Sequence, residues 1–192
     1  MNTHKKAGKP LRFIVLIPHR DSCVLLEKYR QRLFSLGFTG AYSFPAAAPL
    51  AMVSLSYNFS ELKALAHELR CISHSKNGKI TAGETARVSC PMTGTAAFFG
   101  PLLDLPPLDT LNGWNNEKLT FIFPRTLLCA AILSADNRDQ KEEKLSIPDF
   151  TSFSFRAAKV SNLAIRPLKA SPYSYEWRLG PDCWLPAYKR SI

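Results

Sequence analysis

The chain has 192 residues, 46% of them hydrophobic, which is typical of one globular unit with a single good core and argues against a disordered or fibrous protein. Its net charge is +10, and the excess lies at the two ends, with eight Lys/Arg against two acids in 1–40 and seven against three in 149–192. If the ends pack side by side, they form a basic surface suited to a polyanion. Five widely spaced cysteines without C-x-x-C spacing favour reduced thiols in a cytoplasmic protein and give no support for a zinc site.

The first forty residues predict a tail, a strand and a helix. Residues 1–10 are polar and basic, which predicts a disordered tail ahead of a single domain at 11–192. Leu11–Ile17 is almost continuously apolar, which predicts a central strand covered on both faces and is too short for a signal peptide or membrane span. The next apolar positions recur every three or four residues, so we expect a helix capped by Asp21 or Ser22 and ended by Gly37.

A second strand and helix follow. We expect a strand at Ala51–Tyr57, and Asn58 with Glu61 three residues later predicts a capped helix start. The apolar face of that helix consists of Leu62, Leu65, Ala66 and Leu69. Residues 80–90 alternate, which predicts a strand with one wet face. Its apolar face is expected to carry Ile80, Ala82, Ala86, Val88 and Cys90.

The second half of the chain is less regular. Residues 94–116 contain several prolines and glycines, so we expect no long element there. Leu119–Phe123 and Thr126–Leu133 are predicted strands, and 136–144 is a charged, exposed connection. Alternating apolar residues between 153 and 179 predict antiparallel strands that close the sheet.

An internal echo suggests two related halves. FPAAAPLAMVSLS, which begins at Phe44, is repeated in pattern by FPRTLLCAAILS, so that LAMVSLS aligns with LCAAILS. This predicts an α+β, bilobal fold with a pseudo-twofold axis and a cleft between the lobes. Leu50 and Leu128 are then expected on two central strands that face the cleft.

Three stretches carry a resemblance to a known family. RFIVLIPHRDSCVLLEKYRQRL, PLAMVSLSYNFSELKALAHEL and the tail FRAAKVSNLAIRPLKASPYSYEWRLG resemble segments of the two-histidine phosphoesterase superfamily, which contains bacterial 2'-5' RNA ligases and cyclic nucleotide phosphodiesterases. The resemblance implies two antiparallel sheets facing a central cleft, with helices outside and intertwined lobes. It also implies RNA or a nucleotide as the ligand.

The sequence departs from this family at the catalytic positions. Family members place His-x-Thr/Ser on each of two cleft strands, where the histidines exchange protons and the hydroxyls bind phosphate. Here the first pair falls on Leu50 and Met52, and the second on Leu128 and Ala130. None of these side chains can exchange a proton or hydrogen-bond a phosphate, so we expect no catalytic residue here.

Other residues are candidates for binding an anion. His19 follows the first strand and is expected to border the cleft, while His4, His67 and His74 are expected to be solvated. Arg87 and Arg125 are the best-placed cations. The aromatic residues of the tail could stack on bases or form the core face of a strand. They are Tyr173, Tyr175 and Trp177.

We therefore expect a non-catalytic module that binds RNA, a nucleotide or another anionic ligand, without metal or cofactor. Two alternatives stay open. One is an active RNA 2',3'-cyclic phosphodiesterase or 2'-5' RNA ligase-like phosphoesterase that uses other residues. The other is a protein-interaction domain with an apolar cleft. A protein partner is compatible with the sequence, no membrane association is expected, and the oligomeric state stays open.

Overall fold

The computed structural model describes residues 11–54, 57–75, 80–89, 96–106, 108, 117–134, 154–155, 157–167 and 175–184. Two α-helices and two antiparallel sheets make this part of the chain a mixed α+β structure. The predicted tail at 1–10 and the predicted connection at 136–144 lie outside the described residues. In chain order the elements are β1 (Leu11–Pro18), α1 (Arg20–Ser35), a 3-10 helix (Thr39–Tyr42), β2 (Ala48–Val53), α2 (Phe59–Ser75), β3 (Ile80–Ser89), β4 (Ala96–Leu103), β5 (Leu119–Ile122), β6 (Ala131–Ser134), β7 (Ser154–Phe155), β8 (Ala157–Pro167) and β9 (Tyr175–Trp184).

The larger sheet is built around β1, as its apolar sequence predicts. The strand order is β5-β2-β1-β8-β9, and the second sheet has the order β6-β4-β3-β7. Because side chains alternate along a strand, Ile14 and Leu16 enter one buried cluster while Phe13 and Val15 enter another. The prediction of a central strand covered on both faces is confirmed.

The two clusters occupy different layers. The helix-side core joins Ile14 and Leu16 to the apolar faces of both helices. From the helices it takes Leu26, Tyr29, Leu33, Leu62, Leu65, Ala66 and Leu69. The inter-sheet core joins one face of the larger sheet to one face of the smaller sheet. Its strand members are Phe13, Val15, Leu163 and Ile165 from the larger sheet, and Val88, Phe98, Leu102 and Ile132 from the smaller sheet.

Helix α1 ends as predicted but begins earlier. Gly37 has φ +91°, and the amides of Gly37 and Phe38 donate to the carbonyls of Phe34 and Leu33, which is a Schellman motif. Asp21 and Ser22, the predicted caps, lie inside the helix. The predicted start of the helix is therefore wrong. Strand β1 ends at Pro18, where its register against β8 shifts, and the helix already begins at Arg20.

Helix α2 begins with the capping arrangement that the sequence predicts. The Asn58 side-chain oxygen accepts a hydrogen bond from the Glu61 amide at 3.0 Å, and the Glu61 carboxylate accepts one from the Asn58 amide at 2.7 Å. The four predicted core residues of this helix are buried, and His67 is exposed. No helix in the described ranges is long and apolar enough to span a membrane.

Strand β2 starts three residues before its predicted position and contains a bulge. Ile14 pairs with Ala51 and Val15 pairs with Pro49, so Leu50 is the extra residue. A bulge tolerates a proline, which cannot donate to the ladder. Because of the bulge, Leu50 belongs to the helix-side core while Met52 packs against the inter-sheet core. The two residues were expected to face one cleft, and they contact different layers.

Strand β3 shows the same effect. Its predicted apolar face is wrong, because a register shift between Ala82 and Thr85 reverses the alternation. Ile80 and Ala82 therefore enter the helix-side core, while Val88 enters the inter-sheet core. Cys90 lies outside the described residues.

Strand β4 lies where no long element was expected. The sequence Gly100–Pro101 usually interrupts a strand, yet Pro101 pairs with Thr85 beside the irregular part of β3. Gly100 admits a close neighbour, because a Cβ at this position would lie 1.9 Å from the carbonyl oxygen of Leu128. Two residues that usually end a strand are thus used here for close packing.

The remaining strands agree with the sequence in part. Strand β5 has its predicted place, and β8 and β9 pair antiparallel in the larger sheet as expected, whereas β7 is wrongly predicted to join them because it pairs with β3 in the smaller sheet. The predicted strand Thr126–Leu133 is too long, because only Ala131–Ser134 is a regular strand. The amides of Leu128 and Ala130 instead donate to the carbonyls of Pro101 and Phe99 on β4, while the Cys129 amide between them donates to the carbonyl of Ala47 before β2. A segment shared among several partners cannot form a continuous ladder.

Candidate anion-binding surfaces

Most residues at the matched catalytic positions are buried. Leu50 and Leu128 are 0% exposed and Ala130 is 1% exposed, and all three belong to the helix-side core. Met52 is half-buried against the inter-sheet core. In this structure a ligand therefore does not reach Leu50, Leu128 or Ala130.

Phenylalanine rings fill the centre of the space between the sheets. Phe98 packs edge-to-face on Phe44, with ring centroids 4.9 Å apart, and on Phe123 at 5.5 Å. Phe13, from the other sheet, completes the group at 6.2 Å from Phe44 and 6.4 Å from Phe98. Each ring is at most 2% exposed. Side chains therefore fill the centre of this layer.

The two ends of the chain lie side by side in the larger sheet. Arg12 of β1 pairs with Ala164 of β8, and Ala164 pairs with Arg178 of β9. Residues in one cross-strand row share a face, so both arginines project from the same side, two strand spacings or about 10 Å apart. Both side chains are exposed. We call this row the basic face.

The aromatic candidates lie in the same part of the sheet. Trp177 is 41% exposed and pairs with Ile165, which places it on the opposite face from Arg178, beside the inter-sheet core. Tyr175 begins β9, but its side chain is not described, and Tyr173 lies outside the described residues. Trp177 therefore lies on the edge strand β9, on the opposite side of the sheet from the basic face.

The other two predicted cleft residues lie on separate elements. His19 is exposed between β1 and α1. Arg87 is half-buried and pairs with Phe99 across β3 and β4, so it shares a face with a ring that packs 6.4 Å from Tyr29. Arg87 thus points to the helix side of its sheet.

Arg125 lies at a cavity of about 200 Å³ between the end of β4 and the turn after β5. The lining residues are Leu102, Leu103, Leu105, Pro106, Leu108, Phe123, Pro124, Arg125 and Thr126. One guanidinium nitrogen of Arg125 is 3.2 Å from a carboxylate oxygen of Glu84, and both side chains are mostly exposed. An ion pair between solvated groups contributes little stability and is readily exchanged.

Sequence reasoning identified Arg125 but missed Thr126 and the leucines around it. The two walls come from segments about twenty residues apart, and the hydrogen bond from the Leu103 amide to the Thr126 carbonyl at 2.8 Å joins them. The turn sequence Pro-Arg-Thr between two apolar stretches is the one signal that could have indicated a polar group at a buried edge.

Two further results concern metal binding and similarity to known proteins. Within the described ranges, no three His, Cys, Asp or Glu side chains are grouped closely enough to hold a metal ion. No model of a known protein family matches the chain, and a comparison with curated proteins yields no significant match.

Proposed function

We propose that this chain is a non-catalytic binding module, similar in architecture to the two-histidine phosphoesterases, that binds RNA or another polyanion on its basic face. The observation that carries the proposal is the row formed by Arg12, Ala164 and Arg178. It places one exposed arginine from each basic end of the chain on the same face of the larger sheet, and the exposed Trp177 lies on the other face of the edge strand β9.

The absence of catalysis follows from the apolar side chains at the matched positions. Under the proposed pseudo-twofold relation, Leu50 and Leu128 occupy the places of two histidines, and each is fully buried. An apolar side chain cannot donate or accept a proton, and a fully buried position is closed to substrate. The phenylalanines between the sheets occupy the expected cleft, so we place binding on the outer basic face.

This mode of binding has a defined signature. The exposed arginines of the basic face can contact phosphates, which supply affinity without sequence information. Trp177 can add sequence-tolerant stacking on a base where the RNA passes over the edge strand β9 to the other face of the sheet. We therefore expect weak, salt-sensitive binding of single-stranded RNA with no preference for sequence.

The test is fluorescence anisotropy with single-stranded RNA oligomers at several salt concentrations. Arg12→Gln/Arg178→Gln should weaken binding and reduce the slope of log K against log salt by about 0.7 for each lost phosphate contact. The matched control is Arg32→Gln/Lys63→Gln, which removes two exposed cations from the helices and should change the slope less.

Three results would overturn the proposal. They are an equal loss in both double variants, tight salt-insensitive binding to one sequence, and no binding at low salt. Hydrolysis of a 2',3'-cyclic phosphate that follows the protein through purification would favour the active phosphoesterase instead.

A protein-interaction domain is the second candidate, favoured by an exposed apolar group on the first helix and the 3-10 helix. Phe34 and Tyr42 are 54% and 44% exposed, and their rings pack at 5.6 Å. Leu36, which is 42% exposed, follows close by in the chain. Clustered exposed aromatics are typical of protein interfaces. An absence of RNA binding would favour this candidate.

A further inference from the structure

The cavity beside Arg125 has the composition of a site for a small amphiphilic molecule. Its floor and walls are apolar, with Leu102, Leu103 and Leu108 at most 7% exposed and Leu105 and Pro106 half-buried. At about 200 Å³ it is smaller than the usual pocket for a drug-sized ligand, which spans about 300–1,000 Å³. An apolar tail of a few carbon atoms fits such a space.

The polar groups of the cavity are adjacent in sequence. Arg125 supplies a guanidinium whose partner, Glu84, is itself 74% exposed and can turn into solvent. Thr126 is 7% exposed and supplies a hydroxyl group to the lining of the cavity. A cation and a hydroxyl donor side by side match the two oxygens of a carboxylate.

We propose that this cavity binds a small carboxylic acid with a compact apolar tail, in which the tail contacts the leucines and the carboxylate meets Arg125 and Thr126. A single cation suits a monoanion, and the mostly apolar lining disfavours a multiply charged phosphate ester. The site is separate from the basic face and does not depend on RNA binding.

The experiment is calorimetric titration of the whole protein with a series of linear carboxylates from butyrate to octanoate. Affinity should rise by about fourfold for each methylene that the cavity buries and then level off as the cavity fills. Octanol has the same tail without the charge, and acetate has the charge without the tail. Both should bind more weakly than octanoate.

Variants locate the ligand. Arg125→Gln should weaken octanoate binding about fivefold, a modest effect because the guanidinium is solvated, and Thr126→Val should weaken it about threefold. Glu84→Gln removes the competing carboxylate and should strengthen binding. Arg32→Gln removes an exposed cation on α1, outside both proposed sites, and should leave octanoate binding unchanged. Leu105→Trp at the half-buried wall should abolish binding by filling the cavity, and circular dichroism reports whether this variant folds.

The outcomes separate clearly. Octanol binding as tightly as octanoate, or equal effects of Arg125→Gln and Arg32→Gln on octanoate binding, would overturn the role of Arg125. Binding that survives in a folded Leu105→Trp variant would overturn the cavity as the site. An absence of binding across the series would overturn the proposal while leaving the RNA-binding proposal untouched.

Discussion

The two faces of the larger sheet pack against different partners, and their cores differ in kind. Among the described residues, the helix-side core has 24 buried members, of which only Tyr29 and Phe99 are aromatic. The inter-sheet core has 13 members, and four of them are phenylalanines. Helices cover a sheet with leucines that fit into grooves, while two sheets stack about 10 Å apart and need larger side chains to fill the gap.

This difference bears directly on function. A cleft between two sheets needs exposed polar groups to bind an anion, and this inter-sheet space holds rings in edge-to-face contact. The layer between the sheets, where the sequence predicted a ligand-binding cleft, thus serves to hold the sheets together. Candidate binding groups lie at the periphery, on the basic face and at the Arg125 cavity.

The strongest test of the difference between the two cores is the removal of a phenylalanine ring from the inter-sheet core. Phe98→Ala should lower the free energy of unfolding by about 3–5 kcal/mol, because the ring is fully buried among three other phenylalanines and leaves a cavity. Urea denaturation followed by tryptophan fluorescence measures the change. Phe34→Ala, at a 54% exposed position, is the control and should cost less than about 1 kcal/mol.

Equal, small effects in these two variants would contradict the packed inter-sheet core. The space between the sheets would then be open in solution, and a ligand-binding cleft would again be the better interpretation of this layer.

A second test places a histidine at position 50, where the proposed relation to the two-histidine phosphoesterases would put one. Leu50→His should destabilise the protein by about 3 kcal/mol at pH 8, because the side chain loses apolar contacts and an imidazole is buried in the helix-side core. Leu50→Met is the control of similar volume and should cost less than about 1.5 kcal/mol.

The pH dependence of Leu50→His sharpens this test. Burial disfavours imidazolium, so the folded pKa falls below the unfolded value of about 6.5. The unfolded state then binds more protons in acid, and stability relative to Leu50→Met should fall further as the pH drops below about 6.5. If Leu50→His were as stable as Leu50→Met both at pH 8 and below about pH 6.5, residue 50 would face solvent.

How far the sequence predicts the fold depends on the regularity of each segment. β1 and α2 follow directly from a continuous apolar run and from Asn58 with Glu61, since these signals are local. The bulges at Leu50 and after Ala82 are not visible, because they arise from pairing with distant strands. A one-residue bulge exchanges the faces of a strand, which is why the predicted apolar face of β3 is wrong.

The candidate sites show the same limit. The sequence gives the basic ends, but only the order β1-β8-β9 brings Arg12 and Arg178 into one row. Arg125 was identified as a cation, but the opposite wall of its cavity comes from the end of β4 and the segment that follows it. Burial of Leu128 depends on the glycine at position 100, which admits its carbonyl, and no local pattern indicates that contact.

The smallest effect is expected in the reactivity of two thiols, one in the helix layer and one in the inter-sheet core. Cys23 lies half-buried on α1, and Cys129 is 0% exposed in the inter-sheet core. Burial raises the pKa of the Cys23 thiol above its ordinary value, the nearby Glu27 carboxylate raises it further, and Arg30 partly opposes both. Since the thiolate is the reactive form, Cys23 should be alkylated slowly at neutral pH and faster as the pH rises.

Mass spectrometry of iodoacetamide-treated protein between pH 7 and 10 measures both rates. The midpoint for Cys23 should lie above the value of about 8.5 for a free thiol, and Cys129 should stay unmodified in the native protein. Glu27→Gln should shift the Cys23 midpoint downward, because it removes a like charge and leaves Arg30, its ion-pair partner at 3.2 Å, to favour the thiolate. Glu84→Gln, which removes a carboxylate that pairs with Arg125 instead, should leave the midpoint in place. Modification of Cys129 at a rate similar to that of Cys23 would mean that the inter-sheet core opens as readily as the edge of the helix layer. The two cores would then differ in amino-acid composition but not in how readily they open.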